Sequence, residues 1–163
     1  MAKKTESIND EFLRLIHDNQ KIIYKVCKTY RDTTQDQEDL FQEIVYQLWK
    51  SYPSFKFESK VSSWMYRVAL NTAMAIYRKP KLPVDYVDKI PEQLHPGIPS
   101  QISENEERLF NALRTLNDTE KALIALFLEG FTYQEIAAIT GITESNTGVR
   151  LNRIKNKLKQ ILN

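Results

Sequence analysis

The sequence predicts an all-α protein: two small helical domains joined by a proline-rich linker, with a helix-turn-helix in the C-terminal domain. Three observations support this prediction. Apolar residues recur every three to four positions through most of the 163-residue chain, and no useful stretch alternates with a period of two. Five of the six prolines fall between Pro80 and Pro99, where they interrupt any helix. Glycine occurs only four times, too rarely for a sheet-rich chain with many tight turns.

These observations divide the chain into an N-terminal domain over residues 1–80, a linker over 81–103 and a C-terminal domain over 104–163. The length is sufficient for two small domains. The single cysteine, Cys27, excludes an intramolecular disulfide and a thiolate metal cluster. Because it lies on an apolar stripe, we expect Cys27 to be a buried apolar filler.

The N-terminal domain is predicted to contain three helices. The first is a long amphipathic helix ending near Tyr30. The second covers about 36–51, and acidic residues in its first turns suit the positive end of the helix dipole. The third covers about 63–79, with Ser62 or Ser63 as its N-cap.

The C-terminal domain is predicted to be a run of short helices, because helix start and stop signals follow one another closely. The first helix covers about 104–115, and the second begins at a cap within "NDTE" and ends at Gly130. The third begins at a capping box of Thr132 and Glu135 and ends at a turn at Gly141. Thr143 caps the last helix, over about 144–161.

The formal net charge is only +2, but the charges are arranged in blocks. Residues 32–43 hold five acids and no base, and residues 50–81 hold seven bases and one acid. Residues 104–144 hold eight acids and three bases, and residues 145–163 hold five bases and no acid. Two cationic surfaces on an otherwise acidic chain indicate two contacts with a polyanion. The alternative is a set of solvated faces that cluster by chance.

The last helix has the residue types of a DNA-recognition helix, which lies in the major groove in helix-turn-helix proteins. Four apolar residues are predicted to pack the two helices together: Ala137, Ile142, Val149 and Ile154. The exposed side is predicted to carry Glu144, Ser145, Asn146, Thr147, Arg150 and Arg153. Asn pairs with adenine and Arg with guanine, while Lys155, Lys157 and Lys159 suit phosphate. The alternative is a plain helical hairpin with a solvated basic end.

The third helix and the loop before it combine cations with aromatic rings. Trp64, Arg67, Asn71 and Arg78 share one face of the predicted helix. The loop supplies Phe55, Lys56, Phe57, Ser59 and Lys60. This combination is typical of single-strand binding, because rings stack on unpaired bases while cations follow the backbone. The alternative is that Trp64, Tyr66 and both phenylalanines belong to the core.

The second helix carries an acidic face of Asp39, Gln42, Glu43 and Tyr46, which are predicted to be exposed. Such a face repels DNA. It either binds a basic protein surface or is simply solvated.

Two segments in this order resemble conserved regions of one protein family. "DQEDLFQEIVYQLWKSYPSFKFESKVSSWMYRVALNTAMAIYRK" resembles the second conserved region of bacterial RNA polymerase sigma factors of the extracytoplasmic-function (ECF) type. "LNDTEKALIALFLEGFTYQEIAAITGITESNTGVRLNRIKNKLK" resembles their fourth region. The chain departs from the common pattern where "NDTE" lacks a proline, at Gly148, and where lysine replaces arginine after Arg153.

The resemblance implies roles for both segments. It implies that Asp39, Gln42 and Glu43 dock on the coiled-coil clamp helices of the polymerase's largest subunit. It implies that the minus-ten element is opened and a flipped base held by Phe55, Lys56, Lys60, Ser62, Trp64, Arg67, Asn71 and Arg78. It implies that the minus-thirty-five duplex is contacted by Thr132, Tyr133, Glu144, Ser145, Asn146, Thr147, Arg150, Arg153 and Lys157.

The function that follows is that of a promoter-specificity subunit, whose expected partners are core RNA polymerase, promoter DNA and an anti-sigma factor. The alternative is a stand-alone helix-turn-helix transcriptional regulator. We expect no catalytic residue, cofactor, metal or small-molecule substrate, because His17 and His95 have no nucleophile or ligand set nearby. The start of the chain lacks a signal-peptide core and the longest apolar run has seven residues. We therefore expect a cytoplasmic protein without membrane insertion.

Overall fold

The computed structural model describes residues 2–75 and 102–163, and the side chains of the first helix from Asn9 onward. The helices are α1 (Ala2–Tyr30), α2 (Thr34–Ser51), α3 (Val61–Ala75), α4 (Glu104–Arg114), α5 (Asp118–Leu128), α6 (Tyr133–Thr140) and α7 (Glu144–Leu162), with a 3₁₀ turn at Tyr52–Ser54. Within these ranges there is no strand, so the prediction of an all-α fold is confirmed.

The N-terminal half is a bundle in which α1, α2 and α3 each pack against the other two. Apolar residues of all three helices form its core, among them Phe12, Ile44 and Met65, each with no exposed surface. Cys27 is also buried, and burial raises the pKa of its thiol. The prediction that Cys27 is an apolar filler is therefore confirmed.

Three details of these helices differ from the predictions. The long helix α1 has a kink at Asn19 (φ −122°, ψ 15°), whose side-chain amide donates to the Leu15 carbonyl at 2.9 Å. The second helix begins two residues earlier than predicted, because the Thr33 hydroxyl caps it by accepting from the Asp36 amide at 3.1 Å. The third begins at Val61, so Ser62 lies inside the helix instead of capping it.

The C-terminal half has side-chain caps at the start of every helix, which confirms most of the predicted boundaries. Ser103 caps α4 and Thr143 caps α7. Asn117 with Glu120 and Thr132 with Glu135 form complete capping boxes at α5 and α6. Gly141 ends α6 at φ +78°, in the left-handed region that glycine enters without steric cost. The turn of the helix-turn-helix is therefore set by local chemistry.

The C-terminal end of α1 is the point where both halves meet. The last carbonyl groups of a helix have no partner within it, and here Arg114 of α4 donates through Nε to the carbonyls of Lys28 (2.9 Å) and Arg31 (3.1 Å). Gln37 of α2 also donates to the Arg31 carbonyl, at 3.1 Å. The Tyr30 hydroxyl donates to the Asp118 carbonyl at the start of α5, at 2.8 Å. A guanidinium group at this position also suits the negative end of the helix dipole.

Further contacts join α1 and α3 to the C-terminal half. Tyr66 meets Phe131 edge to face, with ring centroids 5.6 Å apart. Lys25 forms an ion pair with Glu129. The buried apolar residues of both halves form one continuous cluster, so the two halves pack against each other.

The predicted linker lies almost entirely outside the described residues, as does Arg78; Ile102 and Ser103 lead into α4. None of the helices in the described ranges is both long enough and apolar enough to cross a lipid bilayer.

Two buried tyrosines at the junction provide a matched test of the packing. The Tyr66 hydroxyl is buried without a well-formed hydrogen bond, whereas the Tyr30 hydroxyl donates to Asp118. Burial raises the pKa of Tyr66, and the nearby Glu129 carboxylate raises it further.

We expect Tyr30→Phe to lower the free energy of unfolding by about 1 kcal/mol, and Tyr66→Phe to leave it unchanged or raise it by up to about 1 kcal/mol. Urea denaturation followed by circular dichroism measures both; an equal loss would show that the Tyr66 hydroxyl is bonded.

Candidate nucleic-acid interface

A row of aromatic rings runs from the core of the N-terminal half to its surface. Phe55 stacks on Trp64 with centroids 4.4 Å apart and ring planes 14° from parallel, and Phe57 lies 4.7 Å from Phe55. Trp64 is only 9% exposed, whereas Phe57 is 62% exposed. Phe55 covers the Trp64 ring, so Trp64 belongs to the core, as in the alternative, and its binding of single-stranded DNA stays a prediction. Phe57 is the ring that this row presents to solvent.

Phe57 also has an unusual backbone conformation. Its φ of +56° is the one positive value among the non-glycine residues of the described ranges. A bulky side chain in this region costs about 1–3 kcal/mol, and such strain is concentrated at ligand-binding sites. The surrounding loop therefore holds the exposed ring at an energetic cost.

The polar residues predicted to bind single-stranded DNA are distributed along the loop and α3. Lys56 and Lys60 are exposed in the loop, and Arg67 and Asn71 are exposed on α3. Ser62 is half-buried in the first turn of α3. The structure thus leaves the cations and the amide accessible, while the rings beside them range from buried to exposed.

Arg67 and Asn71 line a cleft of about 350 Å³ between α3 and the C-terminal half. Ile139, Ile142 and Arg150 line its other side. The Arg67 guanidinium donates to the Ala138 carbonyl of α6 at 3.4 Å. Residues predicted to bind single-stranded DNA and a residue predicted to read the duplex therefore share one cleft.

The exposed face of α7 differs from the predicted one at positions 147 and 149. Thr147 is fully buried, and its hydroxyl donates to the Thr143 carbonyl at 2.8 Å. As placed, Thr147 cannot contact DNA. Val149 was predicted to pack against α6 but is 49% exposed, on the side of α7 opposite Leu151 and Ile154. Glu144, Ser145, Asn146, Arg150 and Arg153 are exposed as predicted.

Sequence reasoning missed Val149 and Asn152 as candidates for DNA contact. Both are exposed, and with Ser145 and Arg153 they lie on the side of α7 that faces away from the buried residues. The signal was present in the helical period: residues 147, 151, 154 and 158 form one buried stripe. Assigning Val149 to the core by its apolarity ignored its position opposite that stripe.

Two of the basic residues beyond Arg150, Lys155 and Lys157, are held by specific partners. Lys157 forms an ion pair with Glu120 of α5 at 2.8 Å. Partial burial alone would raise the pKa of Glu120, but the hydrogen bonds from Lys157 and the Asn117 backbone outweigh this effect and lower it. Arg150, Arg153 and Lys157 line an open groove beside the N-terminus of α5. The groove combines three cations and the positive end of a helix dipole with the carboxylates of Asp118 and Glu120.

Tyr133 is half-buried and lies against the middle of α7, beside Gly148. A Cβ atom at Gly148 would stand 3.4 Å from the Tyr133 ring. The Lys155 ammonium lies 4.0 Å from the centroid of the Phe127 ring and 3.4 Å from the Tyr133 hydroxyl. Tyr133 thus faces α7, and Thr132 is exposed beside it at the start of α6.

The acidic face of α2 is less exposed than predicted. Asp39 is exposed and accepts a hydrogen bond from Gln35 at 3.0 Å. Gln42, Glu43 and Tyr46 are half-buried instead of exposed. The Glu43 carboxylate accepts a hydrogen bond from Gln47 at 3.2 Å. The face remains accessible, but its members are held by neighbouring side chains.

Comparison with known proteins identifies the family. The Sigma-70 region 2 family model matches residues 15–81, and the Sigma-70 region 4 family model matches residues 106–158. The chain is 30% identical over 130 residues to the ECF RNA polymerase sigma factor SigM of Bacillus subtilis, covering 77% of this chain and 79% of SigM. The chain belongs to the ECF family of RNA polymerase sigma factors. It therefore acts in transcription initiation, where a sigma factor directs core RNA polymerase to specific promoters and promotes strand opening.

Other similar proteins carry the same family name or fold. RNA polymerase sigma factor SigV of Bacillus subtilis is 27% identical, covering 93% of this sigma factor and 90% of SigV. The ECF sigma factor EcfG of Rhodopseudomonas palustris is 28% identical, covering 77% and 70% of the two chains. The fold resembles that of the sigma factor RpoE, solved with the anti-sigma factor NepR from Bartonella quintana, with a TM-score of 0.68, 22% identity and coverage of 96% and 97%.

Proposed function

We propose that the two halves of this sigma factor bind promoter DNA in different states. The loop over residues 55–60 and α3 hold one unpaired strand of the minus-ten element, and α7 reads the minus-thirty-five element as a duplex. The observation that carries this proposal is the difference between the two cationic surfaces. The first combines cations with an exposed, strained aromatic ring, and the second is a fully capped helix-turn-helix.

The single-strand role rests on Phe57, Lys56 and Lys60. An exposed ring stacks on any base that leaves the duplex, at about 1–3 kcal/mol per base, which offsets the few kcal/mol that unpairing costs. The two lysines flank this ring in the sequence and are exposed. Lys56 is available to a phosphate, whereas Lys60 pairs with Glu135 at 3.4 Å and must exchange that partner to bind one. Trp64 then has an indirect role, because its ring stacks on Phe55 and so supports the row of rings.

The duplex role rests on the side of α7 opposite its buried stripe. Arg153 and Asn146 offer the bidentate groups that recognise guanine and adenine. Val149 lies between them in the sequence and offers an apolar surface that suits the thymine methyl group. Arg150 and Lys157 border the groove beside α5, so they suit phosphates. Because Lys157 is paired with Glu120, its phosphate contact requires exchange of that partner.

The remaining roles concern proteins. We assign the accessible face of α2, with Asp39, Gln42 and Glu43, to the binding of a basic surface on core polymerase. The protein carries out no chemistry of its own and works in the cytoplasm, with the polymerase. Because the similar sigma factor RpoE was solved with an anti-sigma factor, we propose that an anti-sigma factor also binds this one.

Transcription with reconstituted polymerase tests the proposed division of roles. Promoter sequences are first selected from random DNA with the holoenzyme, and multi-round transcription is then measured from one of them. We expect one defined start site that requires both this sigma factor and intact minus-ten and minus-thirty-five elements. Initiation that needs only one of the two elements would contradict the division between the halves.

Phe57 can be tested by separating strand opening from closed-complex formation. We expect Phe57→Ala to reduce the ratio of open to closed complex about tenfold, because one base loses its stacking partner. Phe57→Tyr keeps the ring and should retain most of the opening. Permanganate reactivity of the melted thymines measures opening, and a mobility shift of the closed complex at low temperature measures binding. Unchanged permanganate reactivity in Phe57→Ala would remove Phe57 from the single-strand site.

Val149 can be tested by removing single methyl groups from the DNA. Replacing one thymine of the minus-thirty-five element by deoxyuridine removes only the C5-methyl group. We expect one such replacement to weaken duplex binding by about 0.8 kcal/mol, the value of one buried methyl-sized group, and to have no effect on the Val149→Ala variant. Arg150→Ala serves as the control, because it should lose affinity yet retain the methyl effect. If every replacement acts equally on wild type and Val149→Ala, then Val149 reads no thymine.

A further inference from the structure

We infer that Glu120 of α5 holds Lys157 in the place of a DNA phosphate, and so lowers the affinity of α7 for every duplex, whatever its sequence. The inference rests on the proposed duplex role of α7. It adds to that role a residue of a neighbouring helix that sets the strength of binding without reading any base.

The two oxygens of the Glu120 carboxylate have different partners. One accepts from the backbone N–H of Asn117 at 3.1 Å and completes the capping box of α5. The other accepts from the Lys157 ammonium group at 2.8 Å, the distance of a charge-assisted hydrogen bond. Because the capping box fixes the first oxygen, the start of α5 also determines where the second one lies. The ion pair is therefore built on a local cap.

The lysine side of this pair is the accessible one. The Lys157 side chain is 57% exposed, whereas the Glu120 side chain is only 17% exposed. Both residues line the open groove that Arg150 and Arg153 share. For Lys157 to bind a phosphate in this groove, it must leave Glu120, and the uncovered carboxylate would then repel that phosphate. The exchange of partners therefore brings little net gain.

Lys157 differs in this respect from the other cations of α7. Five basic residues follow Asn146 on this helix: Arg150, Arg153, Lys155, Lys157 and Lys159. Among the partners that the described part of the chain offers, only Lys157 has a carboxylate within ion-pair distance, and the partners of Lys155 are uncharged. A pair that is neutral as a whole displaces no counterions from DNA. The sequence-blind attraction of α7 therefore comes from four cations instead of five.

This arrangement separates the strength of binding from the choice of sequence. Phosphate contacts attract any DNA, whereas base contacts discriminate between sequences. Glu120 acts on a phosphate-binding group, while Asn146 and Val149 on the outer side of α7 are the proposed base readers. Loss of the Glu120 charge should therefore strengthen binding to all duplexes equally and leave the order of preference unchanged.

Glu120→Gln provides the test, because it removes the charge but keeps an oxygen for the capping box. We combine it with Lys157→Ala in a double-mutant cycle. Binding is measured by fluorescence anisotropy with the reconstituted holoenzyme. One labelled duplex carries the minus-thirty-five element of a selected promoter and ends before the minus-ten element, and a second has the minus-thirty-five element scrambled. Both are titrated at several salt concentrations.

We expect Glu120→Gln to bind both duplexes about threefold to tenfold more tightly at about 0.1 M salt, because one phosphate contact is added. The slope of log affinity against log salt concentration should become steeper by about 0.9. Lys157→Ala should have little effect in the wild type and should abolish the gain in the Glu120→Gln variant. An equal loss from Lys157→Ala in both backgrounds would show that Lys157 binds phosphate in spite of Glu120, and would overturn the inference.

Glu135→Gln is the matched control. Glu135 has the same capping-box position at the start of α6 and also pairs with a lysine, Lys60 of the N-terminal half. Both substitutions remove one negative charge. Any gain of affinity in Glu135→Gln should persist when Lys157→Ala is added, whereas the gain in Glu120→Gln should disappear. If the Glu120→Gln gain also persists, Glu120 acts through net charge alone and the inference is wrong.

A comparison in the wild-type background covers the case in which Glu120→Gln does not fold, which circular dichroism detects. Arg150 has no carboxylate partner among the described residues, so Arg150→Ala should make the salt slope shallower by about 0.9. Lys157→Ala should leave the slope unchanged. Equal changes of the slope in the two variants would contradict the inference without any use of a Glu120 variant.

The proposed duplex role of α7 is tested separately with Arg153→Ala. If this variant retains the full preference for the intact minus-thirty-five element, Arg153 does not read that element and its proposed role fails, whatever the result of the Glu120 cycle. If Arg153→Ala loses the preference but Glu120→Gln changes neither affinity nor salt slope, the duplex role stands and the inference about Glu120 alone is wrong.

Discussion

The carbonyl groups at the C-terminal end of α1, which have no partner within that helix, are the point around which the two halves are joined. Arg114 from α4 and Gln37 from α2 both donate to carbonyls at that end, and Tyr30 reaches the first residue of α5. A helix end buried without such donors would cost free energy for each unsatisfied group. The N-terminal bundle and the C-terminal helices are therefore positioned by one small set of polar contacts, and the apolar cluster forms around it.

Packing around this point explains why the two DNA-binding surfaces are close together. Arg114 holds α4 at the end of α1, and both α5 and α6 lie against α3. The result brings Arg67 and Arg150 to the same cleft. Family membership explains why the chain carries two cationic surfaces, while the geometry around α1 explains why they face each other when no polymerase or DNA is bound.

Local chemistry in the sequence predicted the C-terminal half well. The caps at Asn117, Thr132 and Thr143 and the turn at Gly141 depend on residues within four positions of one another, so their signals survive without tertiary information. Prediction failed where tertiary packing decides. Thr147 is polar but buried, because the Thr143 carbonyl accepts its hydroxyl. The sequence left Trp64 open between core and surface, and Phe55 decides for the core by stacking on it. The Arg114 contacts join residues more than 80 positions apart, so no local sequence pattern predicts them.

The dense capping of the C-terminal half has a consequence for the order in which the chain folds. Short helices with their own start and stop signals form mainly sequence-local contacts, and proteins rich in such contacts fold quickly. The N-terminal bundle instead requires the ends of the long helix α1 to find α2 and α3. During refolding, we therefore expect the helix-turn-helix to form early, before it docks on the C-terminal end of α1.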